Sequence, residues 1–316
     1  VFRKIVDGEA EMVVVIHVDD ILAHYKDEVM MDIFAAELGQ KFKIKDMGDA
    51  RYYIGCPITR NRKARELKID QHFYVELMVE TSDVKKTNEI PATSGVPTLS
   101  KADEPRNPEK AEEIRKVPYR ETVRVFMWTA TMRRPDIVSA VLAVARFCES
   151  SGPAHKKVVK IMQYILHTKY WGITYGGQDC GLCMETFTYS EFGACLDTRR
   201  SVSSAVLMLT NRAISWYSRM QGVTASGTSE AEYVALLKAV KGSVSEYGAI
   251  KLATNKHACC RKNYIDVKHH MVRAVSDARK VRVAYVRSED QHADMLTKPL
   301  DTQRLYKHAK FIIKVV

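Results

Sequence analysis

Two adjacent carboxylates, Asp19 and Asp20, stand between apolar runs at residues 12–16 and 21–23 in the stretch MVVVIHVDDILAH. Strand-like runs on both sides of a polar pair spell a β-hairpin with the acids at its tip. Carboxylates held side by side on a stiff turn repel each other unless a divalent cation lies between them, and hard oxygen ligands suit Mg²⁺ or Mn²⁺. An ordinary polar turn carries the same residues, and the pair alone does not separate the two readings. Cysteine offers a second chemistry. Cys180 and Cys183 have C-x-x-C spacing, and Cys259 and Cys260 could add thiolates, but the second pair lacks knuckle spacing and a structural zinc is not expected. Seven cysteines without a signal peptide point to reduced thiols and not to a disulfide framework.

The elements that must hold these groups can be read from periodicity. Residues 28–38 have helical spacing, with Val29, Ile33, Phe34 and Leu38 on one face. Residues 42–49 and 51–58 read as strands, and Pro57, which has no ladder donor, places the second at an edge or a bulge. A helix follows over 69–79, with Asp70 as its N-cap. Residues 85–118, rich in Pro, Thr, Ser, Lys and Glu, read as an extended connector. Two helices broken before Pro135 come next, and then a helix over 155–167. His155, Lys156, Lys157, Lys160 and Lys169 could meet a nucleic-acid backbone, although a solvated helix face would look the same.

The chain of 316 residues is 46% hydrophobic, enough for two or three domains with a sizeable core. Lys and Arg total 49 against 38 acids, a net charge of +11 that favours polyanionic partners. No signal-peptide pattern is present and the apolar run at 12–18 is too short to span a bilayer, so an intracellular protein, cytoplasmic or nuclear, is expected and no membrane partner.

His17-Val-Asp-Asp-Ile-Leu22 resembles the Tyr-Val-Asp-Asp turn in the palm of copia-type retrotransposon reverse transcriptases, with His17 in place of Tyr. Later blocks resemble the same family in the same order. They are residues 42–49, 51–58 and 69–79, then Pro118-Tyr-Arg-Glu121, Arg134-Pro-Asp-Ile137 and Ala145-Arg-Phe147. The resemblance continues into the family's ribonuclease H domain through FTYSEFGACLDTRRS at 187–201, Ala213-Ile-Ser-Trp216, residues 228–236, residues 262–270 and DQHADMLTKPL at 290–300.

The resemblance implies an α+β or α/β protein in three parts. Residues 1–68 would be the C-terminal part of a reverse-transcriptase palm, 69–170 a helical thumb or connection, and 171–316 a ribonuclease H-like mixed sheet with helices. Asp19 and Asp20 would be polymerase metal ligands, acting with a third aspartate upstream of this sequence. In the ribonuclease part, Glu232 and Asp294 match two of the family's catalytic, metal-holding acids, and Glu191 sits where it has a further acid. Tyr189 replaces the first catalytic aspartate, and Ser245 replaces the third. Residues 238–244 are too short for the loop and strand that should precede that third acid, so an internal deletion and a lost strand are expected. The implied function is a fragment of a retrotransposon polyprotein whose ancestral activities are RNA-directed DNA synthesis and cleavage of RNA in RNA–DNA hybrids, with Mg²⁺ or Mn²⁺ as cofactor. Loss of Tyr189's and Ser245's acids predicts impaired catalysis. The alternative is a non-catalytic nucleic-acid-binding remnant, or a relic without function.

Overall fold

The computed structural model describes residues 2–6, 9–80, 87, 119–148, 154–176, 183–254, 272, 276–278 and 281–313. Val-rich alternation forms a three-stranded antiparallel sheet of β1 (Phe2–Val6), β2 (Glu9–His17) and β3 (Asp20–Tyr25). His17 pairs with Asp20, leaving Val18 and Asp19 as a two-residue turn. Val18 has φ +52°, a conformation that suits glycine and strains a β-branched side chain. Met12 and Val14 are buried on one face of β2, and the long helix Thr228–Thr254 approaches this strand.

Asp27 caps α1 (Glu28–Gly39) by accepting from Val29 N, where periodicity placed the helix. Its expected apolar face finds no core, since no α1 residue is buried and Val29 and Ile33 are at least half exposed. Residues 42–49 form no strand. A second sheet runs β4 (Tyr52–Tyr53), β5 (Cys56–Asn61), β6 (Glu66–Ile69) and β7 (Ile173–Gly176). Pro57 therefore lies in an inner strand, a correction to the expected edge. It is tolerated at the second residue of β5, where only the short β4 flanks it and the ladder to β6 begins at Ile58. Gly172 lies against the Ile69 carbonyl, and an added Cβ would sit 2.4 Å from that oxygen. Helix α2 (His72–Glu80) starts later than expected. Asp70 is not its cap residue; its carboxylate instead accepts from His72 N at 3.2 Å and contacts His72 Nδ1 at 2.6 Å.

The 85–118 connector lies almost wholly outside the described residues. Helix α3 (Tyr119–Met132) stops ahead of Pro135, a single 3₁₀ turn spans Pro135–Ile137, and α4 (Val138–Ala145) follows. The break has a purpose in packing. Arg134, 1% exposed, grips Asp136 with two bonds of 2.9 and 2.8 Å, while Tyr164 donates to Asp136 at 3.0 Å and Thr168 accepts from Arg134. Tyr164 belongs to α5 (Ala154–His167), so this buried ion pair ties the break to the next helix. Burial raises the Tyr164 phenol's pKa, and the Asp136 charge adds to it.

The third sheet contains β8 (Met184–Glu191), β9 (Val202–Leu209) and β10 (Arg212–Met220), in the order β10-β9-β8. All its pairs are antiparallel, so the expected mixed sheet is not what the described residues show. Long helix α6 (Thr228–Thr254) covers β8 and β9, and α7 (Thr302–Ile313) packs on β10. One hydrophobic core runs from Val75 of α2 through Phe126, Ile161 and Ile165 to Val206, Met208, Met295 and Ile312. The helical middle and the third sheet are thus built on a common interior. Among the described residues no helix is long and apolar enough to cross a membrane.

Candidate functional site

Tyr189 and Glu191 alternate with Ser190 on β8, so they share one face of the strand. Strand β8 is the edge of its sheet, and its outward backbone groups are answered by side chains. Ser190 N donates to Glu232 Oε1 at 3.2 Å, and Thr188 O accepts from Gln291 Nε2 at 3.0 Å. Glu232 is carried in the first turns of α6. That end is tied to the sheet by buried Gln221, whose Nε2 donates to Ser190 Oγ, Ser203 Oγ and Ala231 O. Gln291 opens a 3₁₀ segment (His292–Leu296) that carries Asp294, and Ser204 Oγ donates to Ala293 O at 2.8 Å to fix it on β9. Three separate elements therefore converge on one point.

At that point lies Lys298. Its Nζ is 2.7 Å from Asp294 Oδ1, 3.5 Å from Glu191 Oε2, and donates to the Tyr189 hydroxyl at 2.9 Å. Tyr189 in turn donates to Glu191 Oε2 at 3.2 Å. Asp294, 4% exposed, meets Lys298 through Oδ1 as a buried ion pair. Burial opposes the Lys298 charge, but the contacts with Asp294 and Tyr189 more than offset it and hold the ammonium's pKa above its usual value. Burial raises the Glu232 carboxyl, the Ser190 N–H opposes this, and the Asp294 and Glu191 charges add to it. Burial also raises the Tyr189 phenol against the pull of Lys298, which keeps it a neutral hydroxyl at neutral pH.

The structure thus brings Glu191, Glu232 and Asp294 near one another, Glu232 on α6 and Asp294 on a 3₁₀ turn. Ser245 is not with them. Helix α6 continues straight through residues 238–244, and Ser245 is exposed thirteen residues beyond Glu232, about 20 Å along the axis. Asp19 and Asp20 are both exposed at the hairpin tip. Among the described residues no three or more His, Cys, Asp or Glu side chains are grouped to hold a metal ion. The acidic cluster does not fit Mg²⁺ as it stands, because an ammonium and a neutral phenol occupy the space between its carboxylates. Cys180, Cys259 and Cys260 lie outside the described residues, and Cys183 is an exposed free thiol. Of the candidate phosphate-binding lysines, Lys160 is exposed, whereas Lys169 is paired with Glu76 at 2.7 Å. Sequence reasoning missed Lys298, although its spacing of four from Asp294 in DMLTK was visible.

The motif blocks also meet one another. Arg146, from Ala145-Arg-Phe147, donates to Cys195 Sγ at 2.9 Å and pairs with Asp197 at 3.1 Å, joining the end of α4 to the loop after Glu191.

The reverse transcriptase (RNA-dependent DNA polymerase) family matches residues 1–98. The chain is 30% identical over 309 residues to the retrovirus-related Pol polyprotein from transposon TNT 1-94 of Nicotiana tabacum, covering 91% of this chain and 23% of the polyprotein. It is 25% identical to the corresponding polyprotein from transposon RE1 of Arabidopsis thaliana, covering 93% of this chain and 21% of that one. An uncharacterized mitochondrial protein of Arabidopsis thaliana is 24% identical over 71% of this chain and 90% of its own length. No solved structure matches. The fold is mixed α+β with antiparallel sheets. The matches support a fragment of a copia-type retrotransposon polyprotein, and the chain spans less than a quarter of the length of the TNT 1-94 and RE1 polyproteins.

Proposed function

We propose that the cluster of Glu191, Glu232 and Asp294 is a ribonuclease H-type centre that does not turn over, and that the chain acts as a nucleic-acid-binding pseudoenzyme. In this reading residues 1–68 are palm, 69–170 thumb or connection, and 171–316 ribonuclease H-like. The observation that carries it is the phenol of Tyr189, seated beside Glu191 and Asp294 and bonded to Lys298 and Glu191. Hydrolysis of a hybrid by two divalent ions needs an anionic bridge between them, and a neutral phenol offers only a weak acceptor. With Ser245 about 20 Å away along α6, no second acid replaces the bridge. Asp19 and Asp20, exposed on their turn, are read as polymerase ligands without a described third acid.

The net charge of +11 supports binding of an RNA–DNA hybrid or other nucleic acid through phosphate contacts, in the cytoplasm or nucleus. The test is hybrid cleavage with Mg²⁺ and with Mn²⁺, paired with binding of the same hybrid across a salt series. No cleavage, with affinity that falls steeply as salt rises, is expected. Metal-dependent cleavage that Glu191→Gln abolishes would overturn the reading, as would an affinity indifferent to salt.

A further inference from the structure

The acids of the cluster are not left to repel one another, and what neutralises them belongs to the chain itself. Lys298 stands at the end of the segment that carries Asp294, four residues on. Pro299 follows it and restricts its backbone, and the side chain of Leu300 is buried next in line. The ammonium is therefore aimed by fixed neighbours on both sides. It reaches Asp294 at 2.7 Å, the Tyr189 hydroxyl at 2.9 Å and Glu191 at 3.5 Å, and lies 4.6 Å from the centre of the Tyr189 ring. The phenol accepts from Lys298 and donates to Glu191, so each polar atom between the carboxylates has its role.

We propose that the Lys298 ammonium is a built-in counter-cation that takes the place of a divalent metal, so that the native cluster excludes Mg²⁺. The inference rests on reading the cluster as metal-centre-like and goes beyond it, since loss of turnover does not by itself require loss of metal binding. A divalent ion entering between Glu191 and Asp294 would meet a fixed positive charge within ion-pair range, in a half-buried site where that repulsion is weakly screened. Removing the ammonium leaves Glu191 and Asp294, which it bridges, without their cation, and Glu232 close enough to feel both charges. That is an oxygen-ligand set of the kind hard divalent ions accept.

The test is Mn²⁺ binding to the full chain, followed by water-proton relaxation with no nucleic acid present. Lys298→Met is expected to gain a Mn²⁺ site at least tenfold tighter than any the unmodified chain has there, and Lys298→Met combined with Asp294→Asn to lose it. Equal Mn²⁺ binding by the unmodified chain and Lys298→Met overturns the proposal, as does a gain that survives Asp294→Asn. If Lys298→Met does not fold, the ¹⁵N resonance of the Lys298 ammonium in the unmodified chain decides. Persistence of the resonance in millimolar Mg²⁺ supports the proposal, and its displacement overturns it. An inactive chain that binds Mn²⁺ at the cluster would defeat this inference while leaving the proposed function standing.

Discussion

The hairpin acids and the C-terminal acids present opposite cases. Asp19 and Asp20 resemble a polymerase turn in sequence, yet both are exposed on a strained tip with no third carboxylate beside them among the described residues. Glu191, Glu232 and Asp294 lie in blocks where the resemblance expects acids at Tyr189 and Ser245, yet three elements still bring them to one place. A local motif survives as letters because a hairpin specifies itself. An assembled site survives as geometry because the scaffold that positions it, buried Gln221 and Ser204 with half-buried Gln291, also holds the elements together.

The contrast can be broken first at the buried Arg134–Asp136 pair, which anchors the core beneath the third sheet. Asp136→Ala leaves a guanidinium buried and unpaired, and is expected to cost about 4 kcal/mol of unfolding free energy in denaturant titrations. Asp20→Ala, at an exposed turn, should leave the denaturation midpoint unmoved. An equal loss from both changes would mean that the hairpin is as deeply anchored as the core.

The next effect belongs to pH. His292 and His308, Nδ1 to Nδ1 at 3.0 Å, are both held down to about 4 from 6.5. Burial is the main cause. The His308 charge and Lys307 add to it at His292, and Lys307 and Arg304 at His308; Asp290 pulls the other way at both, and Asp301 at His308. Because the folded pKa lies below the unfolded one, the unfolded chain binds more protons between pH 6.5 and 4. The stability is fully present above 6.5 and drains away as pH falls through that window, by about 3 kcal/mol for each histidine. Urea unfolding at pH 7 and pH 4.5 should show this loss, and His308→Phe, which leaves only His292 to titrate, should roughly halve it.

A smaller effect sharpens the hairpin side. Val18→Gly relieves a positive φ on a β-branched residue and should stabilise the β2–β3 turn by about 1 kcal/mol. Amide exchange at Ile16 and Ile21 reports it, and slower exchange is the expected sign.

Periodicity and spacing made much of this legible. The turn at Asp19, the helix at Glu28–Gly39 and the break at Pro135 all follow from local rules that a sequence displays. What escaped was set by partners distant in the chain. Residues 42–49 alternate like a strand but pair with no strand among the described residues. The apolar stripe of α1 faces no core among them. Pro57 fits an inner strand because β4 is only two residues long. Arg134 and Asp136 were visible as a motif, but their bonds to Thr168 and Tyr164 depend on a helix thirty residues on. Lys298 was read as part of a matching block, and only the meeting of β8 with the 3₁₀ turn shows what its charge does.

The acids are assembled around Lys298, and a double-mutant cycle reads that assembly directly. Lys298→Met, Asp294→Asn and the double variant should give a coupling free energy of about 1 kcal/mol or more in unfolding, because each change removes the same ion pair. Lys298→Met with Asp20→Asn should be additive, since the two sites share no contact. Additivity for Lys298 and Asp294 as well would contradict the account.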